Sequence, residues 1–288
     1  DQVATERALT FRSEMTTNGY LLTPDVAERL LRWRIRGFQI TLDGPAAQHD
    51  RSRPTRDGRP TFETIVENLV ALSRRDESFY VTIRNNFDQT NHDAVPELIE
   101  TLEERLGGDS RFRLAFQAVG RWGGQNDEQL AVCNDDQSEL VTARLHDEAR
   151  RRGFEVPTLR EVAHVGGQAC YAARPYNLIV GAHGQLMKCT VILDSEDYNV
   201  VGQLGPDGEV QLDEERFALW TEPAFEQDTQ CQKCVVVPLC QGIHCPKVRF
   251  EHDRSPCCST RSRAKKELLD LVSVSKHRER KRSVALEA

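Results

Sequence analysis

The sequence predicts an α/β fold followed by a small cysteine-rich domain, and three observations carry that expectation. Between Phe11 and Arg152, short apolar segments of strand period alternate with amphipathic helical ones. The alternation stops between Gly153 and Val165, where Gly, Pro and Cys become frequent. Farther on, Cys231, Cys234, Cys240, Cys245, Cys257 and Cys258, six of the nine cysteines, crowd into one stretch. With 288 residues the chain is long enough for one large domain or two and buries a sizeable core.

Charged residues make up 29% of the chain and the net charge is −7, which gives no electrostatic reason to expect nucleic acid or a membrane surface as partner. No apolar run approaches the ~20 residues that span a bilayer, and Asp1 to Arg12 lack the basic-then-apolar order of a secretory signal. The expected compartment is the cytoplasm. In that reducing setting nine cysteines point to metal ligation more than to a disulfide framework.

Phe11 to Met15 reads as a strand entering the polar turn Thr16-Thr17-Asn18-Gly19. A helix follows, with Pro24 in its first turn and Val26, Leu30, Leu31 and Trp33 as its apolar stripe; Gly37 is the expected terminator. Phe38 to Leu42 alternates as a strand and breaks at Asp43-Gly44-Pro45. Thr61 is expected to cap a helix carrying Phe62, Ile65, Leu69 and Leu72. Phe79 to Ile83 is a strand, Ala94 to Leu106 a helix, Phe112 to Val119 a strand and Gln137 to Arg152 a helix. Such alternation with short links implies parallel strands joined by right-handed crossovers, in an open sheet or a barrel. In either case polar residues at the carboxyl ends of the strands face a ligand: Asn18, Thr41, Asp43, Arg84, Asn86 and Arg121.

The run Thr16-Thr17-Asn18-Gly19-Tyr20-Leu21-Leu22, then Gly37-Phe38-Gln39-Ile40-Thr41-Leu42-Asp43-Gly44-Pro45 with His49-Asp50 and Arg53, resembles the fourth and fifth strands of radical S-adenosylmethionine enzymes. The likeness continues through Thr61-Phe62 and Ile83-Arg84-Asn85-Asn86 and covers roughly residues 10 to 125. It implies an incomplete (β/α)6 barrel holding S-adenosylmethionine against a 4Fe-4S cluster, whose electron splits the cofactor into methionine and a 5′-deoxyadenosyl radical. Asn18, Thr41 and Arg53 are the implied cofactor contacts. The bland readings are an ordinary turn for Asn18, a satisfied strand residue for Thr41, a cap for Asp43 and a solvated loop for Arg53. The family's Cys-x3-Cys-x2-Cys loop and its Gly-Gly-Glu-Pro turn are absent, and no cysteine precedes Cys133. The expectation is a chain that begins in mid-fold, as a fragment or a natural truncation.

Beyond the boundary, Cys170 precedes a hairpin, Tyr176 to Cys189, with His183-Gly184 as its tight turn. Tyr198 to Leu204 repeats a strand-and-turn pattern, Leu212 to Leu219 suggests a short helix and Arg261 to Val272 a closing helix before a basic tail. The order Cys170-x13-Gly184-x4-Cys189, then Cys231-x2-Cys234-x5-Cys240-x4-Cys245 and a final cysteine, resembles the SPASM domain. The family has three residues between the last two of the central cysteines, and here there are four. The resemblance implies domains at 1–155 (partial barrel), 156–262 (SPASM) and 263–288 (helix and tail).

It further implies two auxiliary 4Fe-4S clusters, one on Cys231, Cys234, Cys240 and Cys257, the other on Cys170, Cys189 and Cys245. Cys258 competes with Cys257; His164, Cys133, Cys258 or an open iron would complete the second set. A cube needs soft thiolates, and Cys-x2-Cys supplies two on adjacent irons. Cys-x2-Cys serves zinc equally well, so two zinc sites are the alternative on spacing alone. Cys133 itself reads as an inert thiol, and His183 and His244 as loop residues. The implied activity is modification of a ribosomally made precursor peptide, by crosslink or oxidation through hydrogen-atom abstraction, with a flavodoxin or ferredoxin as reductant. Alternatives are a non-catalytic iron-sulfur electron-transfer or peptide-binding module, and a sulfatase-maturase-like enzyme. In sulfatase maturases an Asp follows the second of these cysteines, whereas Thr190 follows Cys189 here.

Overall fold

The computed structural model describes residues 2–121, 125–158, 161, 164, 165, 167, 169–193, 197–222, 229–242 and 245–252. It divides into two compact units at Pro157/Thr158. In the first, α1 (Gln2–Glu6), β1 (Ser13–Thr17), α2 (Pro24–Arg32), β2 (Ile35–Thr41), α3 (Ala46–Ser52), α4 (Phe62–Ser73), β3 (Tyr80–Phe87), α5 (Val95–Leu106), β4 (Phe112–Ala118) and α6 (Asp135–Arg151) follow one another. The strands form one parallel sheet in the order β1-β2-β3-β4.

Parallel strands laid down in chain order by right-handed crossovers keep their helices on one side. The side chains agree: Phe38, Ile40, Val81, Ile83, Phe112 and Leu114 share one core with Leu30 of α2, Leu69 of α4, Leu98 of α5 and Leu145 of α6. The alternate strand positions, Glu14, Thr16, Gln39, Thr41, Arg84, Asn86, Arg113 and Gln117, point the other way. All of them are exposed or half-buried.

Several local expectations are corrected. α2 ends at Arg32, and the chain reverses through Arg34 at φ 63°. Trp33 therefore leaves the apolar stripe and is 59% exposed. Gly37 lies inside β2, where an added Cβ would come within 2.5 Å of the Tyr80 hydroxyl; its smallness admits the Tyr80 ring across the strand. Nor does the Thr61 side chain cap α4. The Asp50 carboxylate does so, accepting from the amides of Thr61 at 2.7 Å and Phe62 at 2.8 Å, while the Thr61 hydroxyl donates to the Arg53 carbonyl at 2.7 Å.

The second unit holds an antiparallel sheet in chain order, β5 (Ile179–Val180), β6 (Gln185–Met187), β7 (Val200–Leu204) and β8 (Val210–Leu212). β5 and β6 are a hairpin turning at Gly184, whose φ is 82°. Among the described residues four short helices follow: α7 (Glu214–Thr221), α8 (Thr229–Gln232), α9 (Val237–Cys240) and α10 (Pro246–His252). Leu212 belongs to β8 rather than to α7, which Asp213 caps through the Arg216 amide at 3.0 Å. The core is small: Ala172, Leu186, Cys189, Val201 and the fully buried Trp220, whose Nε1 donates to the Tyr198 carbonyl at 2.9 Å. Cys257, Cys258, His244 and the helix expected over 261–272 lie outside the described residues. Among the described residues no helix is long and apolar enough to cross a membrane.

Candidate functional site

In the first unit four of the six expected ligand-facing residues, Thr41, Asp43, Arg84 and Asn86, gather at the carboxyl ends of β2 and β3, whereas Arg121, after β4, donates to the Asp127 and Leu130 carbonyls at 2.8 and 3.2 Å. Asp43, 8% exposed, follows the last residue pair of β2. Its carboxylate pairs with Arg53 Nε and accepts from the Asn86 side-chain amide at 3.0 Å. Asn86 in turn accepts from Arg84 Nε at 2.9 Å, so two guanidiniums flank one carboxylate through a continuous chain of hydrogen bonds. Thr41, half-buried, stands opposite Arg84 in the parallel register. Asn91 ties the Asp43 and Asn86 carbonyls together, at 3.0 Å each. Asn85 holds the Leu42 carbonyl at 2.8 Å.

Residues 43 to 53 form a knot: Asp43 pairs with Arg53, the Asp43 amide donates to His49, and Asp50 holds the next segment through the Thr61 and Phe62 amides. The Asp43 amide donates to His49 Nδ1 at 3.2 Å, which leaves the proton of a neutral ring on Nε2. His49 is fully buried and meets Phe62 edge-on at 5.8 Å. Burial pushes its pKa below the ordinary value; Asp43 and Asp50 oppose that shift and Arg53 adds to it. Asn18, at the end of β1, spends its side chain on its own turn, accepting from the Tyr20 amide at 3.1 Å. Gly19 follows at φ 78°, packed on Ile40 and Ile65.

In the second unit the cysteines separate into two sets. Cys170 begins the turn Tyr171–Ala173, and Cys189 follows β6 in the core. Burial raises the Cys170 thiol, and Cys245 and Cys189 both lie near enough to push it further. The Cys189 sulfur accepts from the Val191 amide at 3.4 Å, with the Tyr171 hydroxyl 4.0 Å away. Asn199, fully buried, holds Cys189 in place: its Oδ1 accepts from the amides of Lys188 at 3.2 Å and Cys189 at 2.9 Å, and its Nδ2 donates to the Cys189 and Ile192 carbonyls at 3.0 Å each.

Elsewhere in this unit the Cys234 amide donates to the Cys231 carbonyl at 3.0 Å, closing the tight Cys-x2-Cys turn. Cys234 and Cys240 pack around Val236. All seven described cysteines are free thiols. Cys133 is part of the first unit's core, its thiol raised by burial. Among the described residues no three His, Cys, Asp or Glu side chains are grouped to hold a single metal ion. Cys257 lies outside the described residues.

The comparisons with known proteins bear on both arrangements. No family model matches the chain. The serine-type anaerobic sulfatase-maturating enzyme of Klebsiella aerogenes is 24% identical over 255 residues, which is 83% of this chain and 58% of that protein. The AdoMet-dependent heme synthase of Nitratidesulfovibrio vulgaris is 29% identical over 132 residues, 45% of this chain and 34% of that one. The chain thus spans well under two thirds of the length of either curated relative. Among solved structures, native anSMEcpe with bound AdoMet and Cp18Cys peptide superposes with a TM-score of 0.69 at 14% identity, over 96% of this chain and 79% of that one. The same protein with Kp18Cys peptide gives 0.65 at 16% identity, with the same coverage. In sequence the chain is thus similar to a sulfatase-maturating enzyme and an AdoMet-dependent heme synthase, and in fold to anSMEcpe.

Sequence reasoning did not single out His49, Asn85, Asn91 or Asn199 as structural members of these sites. His49 and Asn85 stand inside the strings that carry the family resemblance, but the burial of all four is visible only in the structure.

Proposed function

We propose that this chain supplies the cofactor-cradling strands and the auxiliary-cluster domain of a radical S-adenosylmethionine/SPASM enzyme that modifies a ribosomally made peptide by crosslinking or oxidation. The observation that supports it most is that the turn begun by Cys170 and the end of the hairpin at Cys189 meet, the Tyr171 hydroxyl lying 4.0 Å from the Cys189 sulfur. In this reading residues 1–155 are a partial (β/α)6 barrel, 156–262 the SPASM domain, and 263–288 a closing helix and tail.

S-adenosylmethionine with a 4Fe-4S cluster supplies hydrogen-atom abstraction when bound. The Cys-x3-Cys-x2-Cys that ligates that cluster in the family occurs nowhere in these 288 residues. Thr41 and Arg53 are the proposed contacts to S-adenosylmethionine, together with the turn at Asn18. Arg53 gives its Nε to Asp43, and a guanidinium has further N–H donors for a carboxylate. Two auxiliary 4Fe-4S clusters would take Cys231, Cys234, Cys240 and Cys257, and Cys170, Cys189 and Cys245. Free thiols in that number suit soft iron ligation. The partners are a precursor peptide and a flavodoxin- or ferredoxin-type reductant, in the cytoplasm.

Anaerobic reconstitution tests the cluster count: two cubes give about eight irons and eight sulfides per chain. Stoichiometric zinc without labile sulfide would overturn the reading. A sulfatase-maturase-like activity is the second reading, favoured by the Klebsiella relative. Thr190 argues against it, because its amide and its hydroxyl are both engaged by the Tyr171 hydroxyl, at 2.9 and 2.7 Å. Formylglycine on a sulfatase peptide, read by mass spectrometry, would establish that second reading.

A further inference from the structure

Immediately before Cys189 the chain buries a lysine. Lys188 has no exposed surface. Its Nζ donates to the carbonyls of Arg174 and Asn177, at 2.7 Å each, and stands 4.6 Å from the centre of the Phe217 ring. Both carbonyls belong to the segment that follows Cys170, so this side chain ties that segment to the end of β6. Burial brings the pKa of Lys188 down to about 8, with Cys170 opposing that shift, so the amine still carries its proton at pH 7. Burying a charge is expensive, and Met would fill a similar volume without that cost. Lys233, between Cys231 and Cys234, is by contrast exposed, where water and salt screen it.

We propose that Lys188 is a positioning residue for the iron-sulfur site on Cys170 and Cys189, a buried cation that raises the reduction potential of the cluster held there. The proposal rests on the two-cluster assignment above. A thiolate-ligated cluster is anionic and gains another negative charge on reduction. A positive charge fixed in a low-dielectric interior favours the reduced form, and net charge and hydrogen bonding are the levers by which a protein sets such potentials. The two carbonyls keep the ammonium in place whether or not the cluster is present.

The test is an EPR-monitored redox titration of the full chain at pH 7, reconstituted anaerobically with iron and sulfide. The wave that disappears in C189A belongs to this site. In K188M and K188Q that wave alone should move to lower potential, by at least a tenfold change in the reduced-to-oxidised ratio, which is 59 mV for a one-electron couple. K188R should restore it. An unmoved wave in a neutral variant that retains its iron overturns the proposal. If the neutral variants lose the cluster, K188R decides: retained iron at the wild-type potential supports a role for the charge, and loss of iron from K188R as well reduces Lys188 to packing. Zinc without labile sulfide in the wild-type chain would instead overturn the cluster assignment itself.

Discussion

At the carboxyl ends of β2 and β3, the first unit pairs its functional side chains with one another: Asp43 with Arg53 and Asn86, Asn86 with Arg84, and His49 with the Asp43 amide. Around Cys170 and Cys189 the second unit pairs backbone instead, through Asn199 and Lys188, and both cysteines stay outside any disulfide. The supporting cores differ as well. The first runs through four strands and four helices, whereas among the described residues the main cluster of the second has five buried members, on strands of two to five residues. A small core of that kind ordinarily needs a metal or a covalent staple. The first arrangement is therefore held by its own side-chain pairing, and the second, on the cluster assignment proposed above, is the one that a bound group would complete.

Removing the metal should separate the two units most strongly. Structural metal binding is worth ~10 kcal/mol or more to a small domain. After anaerobic chelation of the reconstituted chain, limited proteolysis should cut within residues 158–252 while the first unit stays resistant. Equal resistance of both units after chelation would break the comparison.

Within the second unit, Asn199→Ala should be the costliest single change outside the cysteines. It removes four hydrogen bonds and strands the Cys189 amide and carbonyl in the interior. A loss of about 3 kcal/mol follows, read as a lower denaturation midpoint of this unit. A loss under about 1 kcal/mol would mean that the loop after Cys189 is not held as the structure shows.

Asp43→Ala should cost the first unit less, about 2 kcal/mol, because its partner Arg53 is 43% exposed at the side chain and water recovers part of that pairing. The Asn86 amide, which is half-buried, loses its acceptor. Asp43→Ala should also weaken S-adenosylmethionine binding in calorimetry by freeing Arg53 to wander. Unchanged affinity would show that Arg53 makes no contact.

What the sequence reveals of these two sites follows the range of the interactions. The alternation from Phe38 to Leu42 and the helical stripe of Phe62, Ile65 and Leu69 are local, and the elements stand where the periods place them. Gly37 reads as a helix terminator because its true reason, the Tyr80 ring, comes from the next strand. Thr61 reads as a cap because Ser and Thr usually are, while the carboxylate that does the capping is eleven residues away, on Asp50. The cysteine spacing is visible in the chain, but the approach of Cys245 to Cys170 is long-range. Only the family resemblance pointed to it. Lys188 carries no local signal at all, since its role depends on two carbonyls more than ten residues upstream.

The smallest effect concerns pH, and it sharpens the claim that the first site is held by its own side-chain pairing. Burial holds the folded pKa of His49 below its ordinary value, so the unfolded chain takes up this proton first as pH falls. Stability is therefore complete above about pH 6.5 and declines below it until the folded ring titrates too. The slope is at most about 1.4 kcal/mol per pH unit, for one proton. Urea denaturation of the first unit's transition at pH 7.0 and 5.5 should show this decline. His49→Asn keeps an acceptor near the Asp43 amide and cannot titrate; it should lower stability at pH 7 through lost packing against Phe62 yet flatten the pH dependence. An equal slope in both proteins would assign the acid sensitivity to other groups, and the buried imidazole would then be a packing element rather than a neutral ring held in place by the knot.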